Sequence, residues 1–333
     1  MKQLVSILIP AFNAEKWLSL SLQSAVDQTW LRKEVIVVDD GSKDATLEIA
    51  NNFVSPAVKV VSQRNRGASA ARNKALSLAQ GDYIQWLDAD DILARDKVER
   101  QMVGADPGHS SMTLLSCAWG KFCIDWKSAT FAADSLWEDL EPVEWLFRKV
   151  EQNLWMAIET WLVSRKLTEM SGAWNERLSL DDDGEYFARV VSNSEKIRFV
   201  PEAKVYVRRG NIGISSTLSM NNRKLDSAAA SIFNYVNQLL SMEESARTKR
   251  ACLLMLERWA IYFYPERMDI FDKMKSLAAE LDGELQIPRL RPKYRWAQVL
   301  FGFRIGKKFQ LTLPCLRNYA ATKALGIKSR LPI

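Results

Sequence analysis

The chain has little of what metal-thiolate and disulfide proteins are built from. Its 333 residues include four cysteines, Cys117, Cys123, Cys252 and Cys315, and one histidine. No Cys-x-x-Cys pair and no His/Cys cluster occurs, which argues against a zinc site. The scatter suits a reducing compartment rather than a disulfide scaffold. Long hydrophobic runs are missing as well. No stretch reaches the roughly 18 apolar residues needed to cross a bilayer. The short apolar run ending at Pro10 is too brief for a signal peptide and lacks a small-residue cleavage site. These absences point to a soluble or peripheral cytoplasmic protein. No solenoid-period repeat and no low-complexity segment is found. Carboxylates are absent from one whole region: after Glu284 there is no Asp or Glu, while eleven Lys and Arg follow. The formal charge of +6 therefore hides a basic tail behind a body with five more acids than bases. Such a tail faces an anionic partner or is a solvated surface.

What is present is enough for a large α/β core, with 47% of residues apolar and 26% charged. Val5 to Pro10 is a continuous apolar run, the pattern of a strand buried on both faces. Trp17 to Val26 has helical spacing. Glu34–Asp39 predicts a second strand, Asp44–Phe53 a second helix and Val58–Ser62 a third strand. Ala68–Ala79 is an Ala-rich helix that Gly81 would cap, and Tyr83–Leu87 a fourth strand. Alternation of this kind predicts parallel strands with right-handed crossovers. From Thr113 to Arg208 the pattern is mixed: short strands at Thr113–Ala118, Ile197–Phe199 and Lys204–Val207 flank helices near Glu144 and Gly184. From Asn221 onward it is helical, with stripes at Ile232, Val236, Leu239 and Leu240 and again at Leu253–Tyr264. The polar stretch Ser215-Ser216-Thr217 marks a linker near 215–222. Pro288, Pro292 and Pro314 interrupt the basic tail.

In a parallel α/β sheet, ligands bind beyond the carboxyl ends of the strands, and each predicted strand here ends in something chemically useful. The first ends in Pro10-Ala11-Phe12-Asn13 and the second in Asp39-Asp40-Gly41-Ser42. The third leads into Asn65-Arg66-Gly67 and on to Arg72-Asn73, and the fourth ends in Asp88-Ala89-Asp90-Asp91. Three carboxylates in four residues repel one another and ask for a cation. Hard oxygen ligands favour Mg²⁺ or Mn²⁺, typically shared with substrate phosphates. The plainer reading, an acidic helix N-cap, requires a helix from Ile92. An aspartate at 39 or 40 can accept from a uracil or thymine imide or a ribose hydroxyl; as a plain turn, Asp-Gly is equally at home. Arg66 and Arg72 suit phosphate recognition, or are surface arginines on a helix. A second acidic cluster, Asp181-Asp182-Asp183-Gly184-Glu185, would raise at least one pKa, which suits a general base; as structure it is a helix start favoured by the macrodipole. Trp155, Trp161 and Trp174 precede it and either stack on a sugar ring or pack in the core.

Taken together, Ser6-Ile7-Leu8-Ile9-Pro10 with Ala11-Phe12-Asn13, Val37-Val38-Asp39-Asp40-Gly41-Ser42, Asn65-Arg66-Gly67 with Ala71-Arg72-Asn73, and Asp88-Ala89-Asp90 resemble family 2 of the inverting glycosyltransferases. The likeness is dense over 4–101 and thinner to about 210. It implies a GT-A fold, a Rossmann-like, mostly parallel sheet flanked by helices, here with a C-terminal helical extension. The implied division is a catalytic domain over 1–215 (nucleotide-sugar half about 1–105, acceptor half about 106–215) and a helical, basic region over 222–333. The resemblance also implies roles. Pro10, Ala11 and Asn13 line the base pocket and Asp40 contacts the base. Asp88 and Ala89 belong to the nucleotide-sugar site, Asp88 touching the ribose or metal region, and Asp90 and Asp91 hold Mn²⁺ or Mg²⁺ against the diphosphate. The family's usual Glu-Asp before a helix is here Asp182-Asp183, which leaves the general base between them, with Asp183 preferred from the spacing to Arg189. The expected reaction is transfer from a nucleotide-diphosphate sugar, a UDP-sugar, to a hydroxyl of a glycan or lipid-linked acceptor in surface polysaccharide or glycolipid assembly. The alternative is an inactive nucleotide- or partner-binding relative.

A sugar nucleotidyltransferase would need a glycine-rich basic loop after the first strand, and Pro10-Ala11-Phe12-Asn13-Ala14-Glu15 is neither. No zinc spacing or RNA-binding motif supports nucleic acid as a partner. Between Tyr294 and Lys308 the tail mixes Trp296, Val299, Leu300, Phe301 and Phe303 with Arg295, Arg304, Lys307 and Lys308. As a helix this is an interfacial segment giving peripheral membrane contact, or an apolar face docked on the catalytic domain.

Overall fold

In a computed structural model the described residues are 3–104, 110–209 and 221–324, with side chains described as far as 313. Four parallel strands carry the first hundred residues: β1 (Val5–Ala11), β2 (Lys33–Asp39), β3 (Val58–Ser62) and β4 (Tyr83–Trp86). They lie in the order β3-β2-β1-β4, with Val5 opposite Lys33 on one side and Tyr83 on the other. All seven residues of β1 are buried, as a strand covered on both faces must be. The crossovers are α1 (Leu18–Val26), α2 (Thr46–Asn51) and α3 (Ala68–Leu78), and α3 packs on β1 and β2. Gly81 does not cap α3. The helix ends at Ala79, and Gly81 instead crosses Ser6, whose backbone nitrogen and Oγ lie 2.5 Å from where a Cβ would stand. The small residue is there for close approach rather than for a left-handed turn.

Beyond Trp86 the sheet turns mixed. Its path continues β4-β8-β6-β9-β5 through β5 (Ile92–Leu93), β6 (Thr113–Phe122), β8 (Leu162–Ser164) and β9 (Lys196–Arg208), and β7 (Thr130–Phe131) pairs with β6. β8 runs antiparallel to β4 and β6, β5 antiparallel to β9, and β6 parallel to β9. The two short strands expected at Ile197–Phe199 and Lys204–Val207 are one strand, bent where its register against β6 shifts between Cys117 and Ala118. Such a shift lets an apolar pattern break while pairing continues. Ile92 and Leu93 are a strand, so the acidic run before them does not cap a helix; the next helix, α4, is Lys97–Gly104. Around this half lie α5 (Pro142–Gln152), α6 (Arg165–Ser171) and α7 (Asp182–Asn193).

The later helices are α8 (Asn222–Met242), α9 (Ala246–Phe263), α10 (Met268–Glu280) and α11 (Arg295–Ala324). The polar stretch 215–217 lies outside the described residues. The helices after it do not build a core of their own: Ile232, Tyr235, Val236, Leu239, Cys252 and Phe263 belong to the same buried cluster as β1 and β2. α8 packs on α7 and α5, and Ser227 Oγ accepts from the backbone nitrogens of Ser179 and Leu180 at 2.9 Å each. The extension therefore clamps the chain just before the second acidic cluster. In the tail, α11 is broken at Gly302, whose φ of 80° and ψ of 168° are not helical, and it runs on through Pro314.

Candidate active site

The strand-end loops expected to converge do so. Pro10, Ala11, Asn13, Asp40, Arg72, Asp88, Ala89 and Asp90 line one cleft of about 620 Å³, joined by Trp17, Asn65 and the first turn of α3 at Gly67 and Ala68. The backbone makes that convergence. Asp40 N donates to Ala11 O at 2.8 Å, tying the ends of β1 and β2. Asn13, itself at φ 48°, accepts from Lys43 N through its side chain and donates its own N–H to Ser42 Oγ. Gly41 turns at φ 73°, and a Cβ there would stand 2.8 Å from Asn65 N, so only glycine fits. Asp40 receives three donors: Gln63 Nε2 at 2.8 Å, Arg66 N at 2.9 Å and Gly67 N at 2.8 Å. A carboxylate has room for about four, which leaves one acceptor position for a ligand in the cleft. Gly67, at φ 95°, opens α3 with no atom near its missing Cβ. The amino end of α3 thus faces the cleft, where an anionic diphosphate is favoured.

The two arginines part company. The Arg66 side chain does not line this cleft; it pairs with Glu176 at 2.8 Å beside a separate hollow of about 270 Å³. Arg72 is buried and spans the two acidic clusters, with Nη2 on Asp88 and Nη1 on Asp182, both at 2.9 Å. Its guanidinium lies 4.4 Å from the centre of the Trp174 ring. Those carboxylates raise its pKa against the pull of burial. With Nη2 on Asp88 and Nη1 on Asp182, Arg72 braces the two clusters while also lining the cleft.

The Asp88–Asp91 run divides its work. Asp90 faces the cleft, whereas Asp91 is buried and accepts from Arg208 N at 2.6 Å. Asp88, Asp91 and a residue the sequence reading passed over, Glu159, offer oxygens within 4.8 Å of one another. Glu159 Oε1 also accepts from Asp88 N at 3.1 Å. Burial first, and the neighbouring acids second, push Asp90, Asp91 and Glu159 upward, with Arg208 opposing the shift at Asp90. Crowded carboxylates in an oxygen-only set fit a hard divalent cation. Arg208, at the end of β9, holds the turn by donating to Asp90 O and stacks on Trp17 at 3.9 Å. Neither Arg208 nor Glu159 has a motif around it. The one available signal was Glu159 itself, an acid inside the apolar stretch Met156–Val163.

In the second cluster Asp182 and Asp183 separate. Asp182 Oδ2 is held by Arg72 and by Ser69 Oγ at 3.0 Å. Among the described residues, the side-chain contact Asp183 accepts is a long one from Trp155 Nε1, 3.4 Å. Burial, then Asp182, raises its pKa, with Arg72 opposing. Of the three tryptophans, Trp155 alone reaches this carboxylate. Trp161 stacks on Phe187 and Trp174 on Tyr186, both deep in the core; Trp174 serves the site only as the floor under Arg72.

Residues 6–125 match the model of glycosyl transferase family 2. Over 113 residues the chain is 42% identical to an uncharacterized glycosyltransferase of Haemophilus influenzae, a match covering 33% of this chain and 45% of that protein. Over 98 residues it is 45% identical to an Escherichia coli chondroitin synthase, covering 29% and 14% of the two chains. The chain thus spans less than half the length of these relatives. Among solved structures, residues 1–349 of S. aureus TarS bound to UDP-GlcNAc superpose with a TM-score of 0.64 at 16% identity, over 99% of this chain and 94% of that one. The mannosyltransferase PcManGT of Pyrobaculum calidifontis, bound to GDP-Man and Mn²⁺, does so with a TM-score of 0.54 at 16% identity, over 98% and 89%. The fold is that of the GT-A glycosyltransferases.

Proposed function

We propose that this protein is an inverting glycosyltransferase that moves a sugar from a UDP-sugar to an acceptor hydroxyl in polysaccharide or glycolipid assembly. The observation that carries the reading is the Arg72 brace, which sets the nucleotide cleft and the Asp182–Asp183 pair side by side. Asp40 offers its open acceptor position to the imide N–H of the base, beside Pro10, Ala11 and Asn13. The amino end of α3 faces the diphosphate. Asp88, Asp90 and Asp91, with Glu159 behind them, would hold Mg²⁺ or Mn²⁺, which supplies positive charge opposite the leaving phosphate. Asp183 is the general base. Among the described residues no cation pairs with its side chain, whereas Asp182 is held by Arg72. Burial keeps Asp183 above ordinary carboxylate acidity and so makes it a better proton acceptor. The acceptor oxygen attacks the anomeric carbon as its proton passes to Asp183. The new C–O bond forms opposite the breaking bond to phosphate, the nucleoside diphosphate leaves, and the configuration inverts. The Trp155 indole N–H lies 3.4 Å from Asp183 Oδ2 and leaves this carboxylate available to a proton.

The test is nucleotide release from UDP-, GDP- and dTDP-sugars with Mn²⁺ present. Release from UDP-sugars, abolished by EDTA and restored by Mn²⁺ or Mg²⁺, is expected. Undiminished turnover in EDTA removes the metal from the reading. Tight UDP binding with no release from any donor across a panel of glycan and lipid acceptors favours an inactive relative.

A further inference from the structure

We propose that residues 291–310 form a helical hairpin whose tip seats in an anionic lipid surface. The chain folds back on itself at Gly302. In one continuous helix Trp296 and Phe309, thirteen residues apart, would lie about 20 Å from each other, yet their ring centres are 5.7 Å apart. Gln298 lies against Gly306 in the same way: a Cβ on Gly306 would be 3.0 Å from Gln298 N. Arg291 N reaches Gln310 Oε1 at 2.6 Å across nineteen residues.

The hairpin has two unlike faces. One is docked: Tyr294, Ala297 and Gly306 are buried, and Phe303 meets Tyr264 edge-on at 5.4 Å. Lys307 is buried there too, donating to Tyr264 O at 2.7 Å and pairing with Glu266 at 2.5 Å. The other face is uncovered. Val299 is 83% exposed, Leu300 68%, Phe301 52%, Trp296 51% and Ile305 44%. These side chains crowd around the turn, so the apolar face is not wholly absorbed by docking on the end of α9 and the turn after it. A contiguous apolar tip of this kind marks an interaction surface.

Charge decides which surface. Arg289, Arg291, Lys293, Arg295, Arg304 and Lys308 are exposed around the tip, and none is in an ion pair among the described residues. No acid follows Glu284 to offset them. Beside the tip opens a hollow of about 830 Å³ lined by Arg289 and Arg295 together with Ile287, Val299 and Phe303. Guanidinium groups above apolar walls match a phosphate headgroup above its acyl chains. Among the described residues no helix is long and apolar enough to cross a membrane, so the hairpin lies in the interface rather than spanning it.

The experiment is flotation of the full chain with vesicles of phosphatidylglycerol and phosphatidylcholine, against vesicles of phosphatidylcholine alone. The expected result is binding to the anionic vesicles that falls as salt rises from about 0.05 to 0.5 M. The variant Val299→Ser/Leu300→Ser/Phe301→Ser should bind at least about tenfold more weakly, since the tip's apolar contribution is removed, while its thermal unfolding is unchanged. If that variant unfolds early, Leu300→Asp provides the same comparison at one exposed position. No flotation by the intact chain at low salt overturns the proposal, as does equal flotation of the folded variants. Concentration-dependent dimerisation that the variants abolish, without vesicle binding, assigns the tip to a second copy instead and also overturns it.

Discussion

The two halves of the site are built in different ways. In the proposed nucleotide half, the functional groups sit at or shortly after the ends of strands, and loop backbone fixes them, as the amides of Arg66 and Gly67 fix Asp40. In the acceptor half, each is fixed by side chains far away in sequence. Asp182 is held from Ser69 and Arg72, and the approach to Asp181 from Ser227 on α8. Loop backbone gives geometry that the local sequence alone enforces. Long-range side chains give geometry that exists only once the helices have docked. The first half should therefore be sensitive to backbone changes, and the second to the loss of single polar partners.

The largest effect should come from the proposed base. Asp183→Asn should lower turnover by roughly 10²–10⁴-fold, the usual contribution of a positioned proton acceptor, while the dissociation constant of UDP, measured by calorimetry, stays within about twofold because the nucleotide loops are untouched. Its raised pKa also has a readout. Only the ionised carboxylate takes a proton, so the acid limb of kcat/KM in the wild type should lie above about pH 4, the ordinary aspartate value. Below that limb the rate should fall about tenfold per pH unit. If Asp182→Asn is the inactive variant and Asp183→Asn is not, the base is Asp182 and the halves meet one residue earlier.

Next in size is the brace that joins the halves. Arg72→Gln leaves Asp88 and Asp182 without their cation. Both keep partial access to water, so the cost should be about 3 kcal/mol, the lower end for breaking a buried pair. Urea denaturation measures it, and a loss under about 1 kcal/mol would mean that the two clusters do not need Arg72 between them. In the nucleotide half, the corresponding backbone change is Gly41→Ala. A side chain at φ 73°, with its Cβ 2.8 Å from Asn65 N, should cost about 1–3 kcal/mol and weaken UDP binding with it. Unchanged UDP affinity would show that the Asn65 loop can shift without harm.

This contrast also explains what the sequence makes legible. β1 to β4 and their loops are readable because the apolar runs and the turn residues Gly41 and Gly67 act locally. The Asp-rich run is readable as chemistry, but its partners are not. Glu159 sits on a 3-10 turn, Ile158–Thr160, and reaches Asp88 only because β8 pairs with β4. Arg66 and Arg72 look alike in the sequence and differ only through Glu176, Asp88 and Asp182, which lie elsewhere in the chain. The tail reads as amphipathic, but its fold-back needs the left-handed turn at Gly302, where glycine permits φ 80° without requiring it. That is why docking and membrane contact compete in the sequence, whereas the hairpin has one face docked against Tyr264 and Glu266 and one apolar face exposed.

The smallest effect compares one aspartate from each half. Asp40 is satisfied by three N–H donors, whereas Asp181 opens α7 at φ 57° with no side-chain capping bond. Around Asp181 lie Asp182, Asp183, Glu185 and the Tyr235 hydroxyl, and among the described residues Lys149 is the cation that favours its charged form. Burial, first of all, raises its pKa to about 7. A carboxyl raised in the folded state stabilises the fold fully below its unfolded pKa, near 4, and that contribution is lost as pH rises through about 7. Asn cannot ionise and tolerates the left-handed region better than most residues. Asp181→Asn should therefore match the wild type at pH 4 and gain on it between pH 4 and 7. Above pH 7 it should stay ahead by on the order of 1 kcal/mol, less than the full shift because Asp181 keeps some solvent. Asp40→Asn should show the opposite sign at neutral pH, since it gives up charge-assisted bonds to Gln63, Arg66 and Gly67. Denaturant midpoints of both variants across that pH range decide the point. If Asp181→Asn is destabilising at pH 8, the Asp181 charge is compensated in the fold, and the acceptor half is as fully satisfied as the nucleotide half.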